Sequence, residues 1–427
     1  GEFSMKEPET ARGSPRAYHA HLDGLRALAC LWVVTSHYSH KPRAGLSGLL
    51  ERGYLPVCFF IVLSGFMTHY ASADKPLGAL RHLLRFHAYR VGRILPLHWV
   101  CLLLQIPGSA STLSAANLGG ALLLTTSWNC YAPFADGADA LFGAHQCDYW
   151  PINGLHWTLS TLLFSWLLYP LLRPLASRFD NTTSSRLGLC ALLLLGSMAP
   201  AAAVQLVAAR RAAPFASSAQ FHLLYQWPPA RLPDFMFGVA VSQLASDPVV
   251  LRWPLWPQLI DGAACVLVGG LLAFPRVVGA EGCEHRCGPE IFLLSGCNGF
   301  FGILMLGGCT ANAQGESVVM RVAASSWLAR IGRLSLHVYL LQELVAKAFL
   351  FMQVATGGSC KSFSACTDLV GNQIYRTGPA SSIDSSWWML FLATLVTVAA
   401  TWQEHGEVPW MRCMRQKLEN YLQARLL

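Results

Sequence analysis

The chain has 427 residues, of which 53% are hydrophobic and only 13% charged, with a formal net charge of +8. So little polar surface cannot coat a soluble protein of this length, and a disordered chain, a fibrous repeat or a coiled coil would need far more charge or a strict period. No dense Lys/Arg cluster interleaved with aromatics points to nucleic acid, which leaves an all-α, polytopic transmembrane helix bundle.

Gly1-Glu2-Phe3-Ser4 ahead of Met5 reads as a cloning scar, so residues 1–18 are set apart as scar and cytoplasmic tail. A spanning helix needs about 20 apolar residues for a ~30 Å hydrocarbon core. Runs of that kind lie near 22–40, 54–72, 94–106, 156–172, 187–207, 232–246, 258–274, 290–309, 328–351 and 386–403, which predicts about ten spans in one domain over 19–410. A further apolar stretch at 117–127 is too short to cross and reads as interfacial or re-entrant. With the N-terminus inside, most of the 31 Lys and Arg fall on the cytoplasmic side. Both termini are therefore expected there, with 411–427 as a C-terminal tail.

This topology divides the 14 cysteines into two classes. Cys130, Cys147, Cys283, Cys287, Cys360 and Cys366 fall in outer loops and are disulfide candidates in an oxidising space. The buried-span set, Cys30, Cys58, Cys101, Cys190, Cys265, Cys297 and Cys309, reads as small core-filling side chains. Cys283-x-His285-x-Cys287 matches no common closed zinc site, and no acidic or thiolate set completes one around His37 and His40, so no metal is expected.

The chemistry concentrates early in the chain. In the first span Asp23 and Arg26 stand three apart on one helix face, where they can pair. His37 lies eleven residues past Arg26, about 16 Å deeper at 1.5 Å per residue. An ionisable group at that depth is a functional candidate; the bland alternative is a histidine satisfied between helices or at the outer interface. Arg85, Arg90 and Arg93 gather at the cytoplasmic end of the third span, where planar cations can clamp phosphates or simply follow the positive-inside bias.

Leu22 to His37 resembles the opening signature of the acyltransferase-3 family, an Arg or Lys, ten residues, then a His. Further segments are similar to the family pattern in order. They are Phe59-Phe60-Ile61-Val62-Leu63-Ser64-Gly65-Phe66, then Arg90-Val91-Gly92-Arg93-Ile94-Leu95-Pro96-Leu97-His98-Trp99, then Trp157-Thr158-Leu159-Ser160 with Tyr169-Pro170. Arg231-Leu232-Pro233-Asp234-Phe235-Met236-Phe237-Gly238, Ile331-Gly332-Arg333-Leu334-Ser335 and Glu407-Val408-Pro409 complete the set. Three motifs depart from it: Thr161 and Leu162 stand where a glutamate is common, Gly92 dilutes an Arg-x-Arg, and Gln342 replaces a His.

The resemblance implies a membrane enzyme that moves an acyl group, usually acetyl, from cytoplasmic acyl-CoA to a hydroxyl of a carbohydrate or other acceptor. His37 is then general base or transient acyl carrier, with Ser64 and Ser160 as catalytic candidates. Arg26, Arg85, Arg90 and Arg93 are the expected phosphate contacts, with Asp23 and Trp157 as supports. Asp148, Asp234, Glu343, Ser64 and Ser160 are the candidate orienting partners of the imidazole, although Glu343 also sits one turn from Lys347. The competing classes are a transporter or channel, against which the lack of self-similarity between the halves argues, and a relative that keeps the fold without the chemistry. A multi-pass protein of a secretory-pathway or plasma membrane follows from the topology.

Overall fold

A computed structural model describes residues 20–39, 47–50, 52–106, 115–129, 154–210, 224–273, 290–310, 315–356 and 382–426. The principal helices in chain order are α1 (Ala20–Tyr38), α2 (Tyr54–Ser72), α3 (Leu80–Gln105), α4 (Ala115–Leu122), α5 (Trp157–Ser177), α6 (Thr183–Arg210) and α7 (Pro228–Leu244). They continue with α8 (Trp256–Ala273), α9 (Glu290–Gly296), α10 (Asn298–Gly307), α11 (Ser326–Arg333), α12 (Ser335–Thr356), α13 (Ser385–Trp402) and α14 (Val408–Leu426). Among the described residues the only extended pairing is an isolated bridge between Ser39 and Ile383. It ties the end of α1 to the start of α13, with Ile383 donating to the Tyr38 carbonyl at 2.8 Å. The fold is all-α.

Seven described helices are long and apolar enough to cross a membrane: Tyr54–Ser72, Trp157–Ser177, Thr183–Leu206, Trp256–Ala273, Glu290–Gly307, Ser335–Thr356 and Ser385–Ala424. The other three expected spans are the helices α1, α3 and α7, of 19, 26 and 17 residues. Each carries charged side chains that dilute its apolar character. The stretch at 117–127 is divided between the eight-residue α4 and a four-residue helical turn at Thr126–Asn129.

The C-terminal region is more ordered than a tail. A π-helical turn over Gln403–Glu407 joins α13 to α14, and α14 packs along α3. The six loop cysteines, Cys130, Cys147, Cys283, Cys287, Cys360 and Cys366, lie outside the described residues, as do Asp148 and residues 1–18. The eight described cysteines are free thiols, and Cys30, Cys58, Cys101 and Cys297 are buried packing groups.

One close crossing in the bundle explains two of the motif glycines. A methyl group added at Gly65 would lie 1.9 Å from the Phe235 carbonyl oxygen, and one added at Gly238 would lie 1.9 Å from that of Val62. Backbone thus meets backbone where α2 crosses α7, the small-residue packing that lets helices associate where burial against water gives no drive.

Candidate functional site: a basic-mouthed cleft below a histidine

Helices α1, α2, α3, α5 and α12 enclose a cavity of about 700 Å³. On α2 its lining runs from Val57 to Ser72, fifteen residues and so about 22 Å of depth. Over most of that length the wall is apolar, with Phe60, Ile61, Met67, Ile94, Leu162 and Trp166 among its members. At one end it is basic: Arg26, Lys75, His82, Arg85, Arg90 and Arg93 line it, and among the described residues no carboxylate does. A long apolar slot with a positive mouth suits a thin ligand that carries anionic charge at one end.

The counter-charges sit behind this wall. Arg26 donates to Asp23 at 2.9 Å, the i,i+3 pair the spacing predicted. Arg93 donates to Glu407 at 2.7 Å, and the other oxygen of that carboxylate lies 2.5 Å from His337 Nε2. Arg85 pairs with Glu419 of α14. Arg90 instead lies over the rings of Phe86, at 4.7 Å, and Trp166, at 5.4 Å. Its guanidinium is therefore held by aromatic faces, leaving in-plane N–H donors to face a ligand.

Ser64 lines this cleft, where it accepts a hydrogen bond from Trp166 Nε1 at 3.0 Å. It therefore steadies the ring beneath Arg90. Ser160 is buried outside the lining, and its hydroxyl finds no hydrogen-bond partner among the described residues. Trp157 packs edge-on against Tyr225, with ring centroids 4.5 Å apart. At the floor of the cleft, Thr158 donates to the Tyr339 hydroxyl at 3.2 Å, and Tyr339 donates to the Leu155 carbonyl at 2.9 Å.

His37 is not among the lining residues. Its Nδ1 lies 3.4 Å from Gln342 Oε1 on α12, and Gln342 in turn donates to the Tyr339 carbonyl at 3.0 Å. The imidazole thus stands one helical turn along α12 from the cleft floor, about 4.5 Å of rise. The described orienting candidates are drawn elsewhere. Asp234 is held by Arg231 at 3.0 Å and Asn298 at 2.5 Å, Glu343 pairs with Lys347 at 2.7 Å, and Ser64 serves Trp166.

The three departures from the motif pattern each have a structural counterpart. Thr161 donates to the Gln226 carbonyl at 3.2 Å while Leu162 joins the cleft wall, so apolar surface stands where a glutamate was expected. Gly92 is where α14 docks: Trp410 Nε1 donates to its carbonyl at 2.9 Å, and Met414 Sδ fills the place of its missing side chain. Gln342 is the neighbour of His37. Sequence reasoning met Gln342 and Glu407 only as motif positions and missed Glu419 and Tyr339; their partners His37, Arg93, Arg85 and Thr158, in that order, all lie far away along the chain. It also missed two buried histidines outside the cleft, His98 and His156, whose Nδ1 atoms lie 2.6 Å apart.

No curated protein and no solved structure matches the chain. A family model described as an acyltransferase domain matches residues 19–402, ending where the π-helical turn begins. With that match over most of its length and the helical bundle described above, the chain belongs to the acyltransferase-3 family of membrane acyltransferases.

Proposed function

We infer that the cleft is the donor site of an acyl-CoA-dependent O-acyltransferase. The phosphates of coenzyme A meet Lys75, His82, Arg85, Arg90 and Arg93, with Arg26 further along, and the thioester arm threads the apolar slot toward His37. The observation that carries this reading is the cleft itself, basic at one end, lined by no carboxylate among the described residues and about as long as the pantetheine arm. Phosphates favour bidentate guanidinium contacts at its mouth. The apolar walls keep water from the thioester.

At the other end His37 takes the proton of an acceptor hydroxyl as that oxygen attacks the thioester carbonyl. The carbon–sulfur bond breaks, and the proton passes to the leaving thiolate. In the ping-pong form the imidazole first takes the acyl group itself and then yields it to the hydroxyl. The acyl group is acetyl and the acceptor a hydroxyl of a carbohydrate or similar molecule. No metal takes part. The basic mouth and both termini face the cytoplasm. The outer loops lie in an oxidising compartment of the secretory pathway or at the cell surface, with their six cysteines in disulfides.

Purified protein in lipid discs, given acetyl-CoA labelled in the acetyl group and a panel of hydroxyl acceptors, should release free thiol and form labelled ester. His37→Ala should lower kcat by about 10²- to 10⁴-fold, the range of general acid–base catalysis. Transfer at the normal rate by that variant would remove the mechanism, and failure of wild-type protein to bind acetyl-CoA would remove the donor.

A further inference from the structure

His37 and Gln342 are 305 residues apart in sequence and meet across the α1–α12 contact. A glutamine side chain has one accepting and one donating end, and which end faces a neighbour follows from what holds the other. Here the donating end is taken: Nε2 donates a hydrogen bond to the Tyr339 carbonyl at 3.0 Å, one turn back on the same helix. Oε1 must then point the other way, at the His37 ring. Only a protonated ring nitrogen can bond to an oxygen that has nothing to donate. The nitrogen facing it, Nδ1, therefore carries the hydrogen, and in a neutral imidazole Nε2 then holds the lone pair.

We propose that Gln342 is the positioning residue of His37: fixed by its bond to the Tyr339 carbonyl, its amide oxygen holds the imidazole in the Nδ1–H tautomer and leaves Nε2 as the atom that does chemistry. The inference rests on the reading of His37 as base or acyl carrier and supplies what that reading lacked, the group that orients the ring. It also links the ring to the cleft, because Tyr339 both forms the floor and anchors the amide. The next residue, Tyr38, has its ring centroid 5.7 Å from the imidazole. On α12 the carboxylate of Glu343, which follows Gln342, pairs with Lys347 at 2.7 Å, so the charge next to Gln342 on its own helix is matched and a neutral amide faces the ring without adding charge.

Two substitutions separate positioning from packing because they rank oppositely in the two roles. Gln342→Glu keeps an oxygen facing Nδ1 but buries a carboxylate, so it should be the less stable variant. Gln342→Met keeps the volume but removes the acceptor, so it loses only what one orphaned Nδ1–H costs and should stay the more stable of the two. Positioning predicts the reverse order in activity. The methionine variant should lose about tenfold or more in kcat with the KM for the donor unchanged, and the glutamate variant should retain more. Activity that follows stability, with the methionine variant fully active, would overturn the proposal.

A second readout needs no acyl transfer. The rate at which diethyl pyrocarbonate modifies His37, followed by peptide mass spectrometry at fixed pH, should rise severalfold in the glutamate variant and fall severalfold in the methionine variant. Equal rates in all three proteins overturn the proposal. If the glutamate variant does not fold, methionine against wild type decides by the same two measurements. The expected order of modification rates in a wild-type protein that transfers no acyl group would leave this inference standing while the acyltransferase reading falls.

Discussion

Two arginine–aspartate pairs with the same three-residue spacing sit in the bundle, and they do opposite things. Arg231 and Asp234 on α7 are sealed, their side chains 1% and 0% exposed, with Asn298 bonded to the carboxylate and the Leu294 carbonyl near the guanidinium at 3.4 Å. Asp23 and Arg26 on α1 are equally close, but Arg26 keeps one side on the cleft, with 24% of its side chain exposed. A buried charge whose neighbours are all protein groups holds helices together, whereas one with a face on a cavity is available to a ligand. Spacing and residue type cannot tell the two apart; what surrounds them does.

The largest effect that tests this contrast is on stability. Asp234→Ala leaves the Arg231 guanidinium buried without its counter-charge, and removing one partner of such a pair costs about 3–5 kcal/mol. Thermal unfolding in detergent should show Asp234→Ala far below wild type, with Asp23→Ala losing less than half as much, since water in the cleft can still solvate Arg26. Equal losses would mean that the cleft is closed to water in solution and that the contrast is false. A smaller effect of the same kind belongs to Gly238→Ala. The added methyl forces α7 away from Val62, and overpacking of this sort costs about 1–3 kcal/mol. Unfolding of that variant should move in the same direction as Asp234→Ala and by less, with donor binding unchanged in the protein that remains folded.

How much of this was legible in the sequence depends on whether the signal was local. The apolar runs located the seven most hydrophobic helices, and the eleven-residue step from Arg26 to His37 singled out the histidine without any structure. Helix α3 was read only from residue 94, because an apolar scan is blind to a helix whose first half bears Arg81, Arg85, Arg90 and Arg93. The same blindness made a tail of α14, whose Arg412, Arg415, Lys417 and Glu419 conceal a regular helix. What sequence could not offer was the partner of each functional side chain. Glu407 reaches Arg93 across 314 residues and Glu419 reaches Arg85 across 334. A glutamine that departs from a family's pattern announces nothing until it is found beside the histidine.

The cleft side of the contrast makes its own prediction at Arg90. Its guanidinium is held by two aromatic faces, so Arg90→Ala should leave stability close to wild type. The KM for the donor should rise about tenfold, equivalent to ~1.4 kcal/mol of phosphate contact. Titration with coenzyme A alone measures the same loss without turnover. A variant that binds as well as wild type would assign the mouth to ordinary topology-setting charge.

The smallest expected effect is the most discriminating, because it separates two carboxylates that both touch mouth arginines. Glu407 is 10% exposed at its side chain and engages Arg93 and His337 together, whereas Glu419 is 31% exposed and shares Arg85 only with a 3.4 Å contact to Tyr89. A buried carboxylate that meets both Arg93 and His337 fixes their positions; a half-buried one with a single guanidinium competes with any anion that arrives. Glu419→Gln should therefore release Arg85 and tighten coenzyme A binding by no more than about fivefold, since a pair this open to solvent is worth at most ~1 kcal/mol. Salt should erase the gain, as the pair is open to screening. Glu407→Gln should weaken binding instead, by loosening Arg93 in the wall. If Glu419→Gln also weakens binding, the π-helical turn and α14 together hold the mouth arginines in place, through Glu407 and Glu419. The segment beyond the family match would then be part of the donor site itself and not a rival for it.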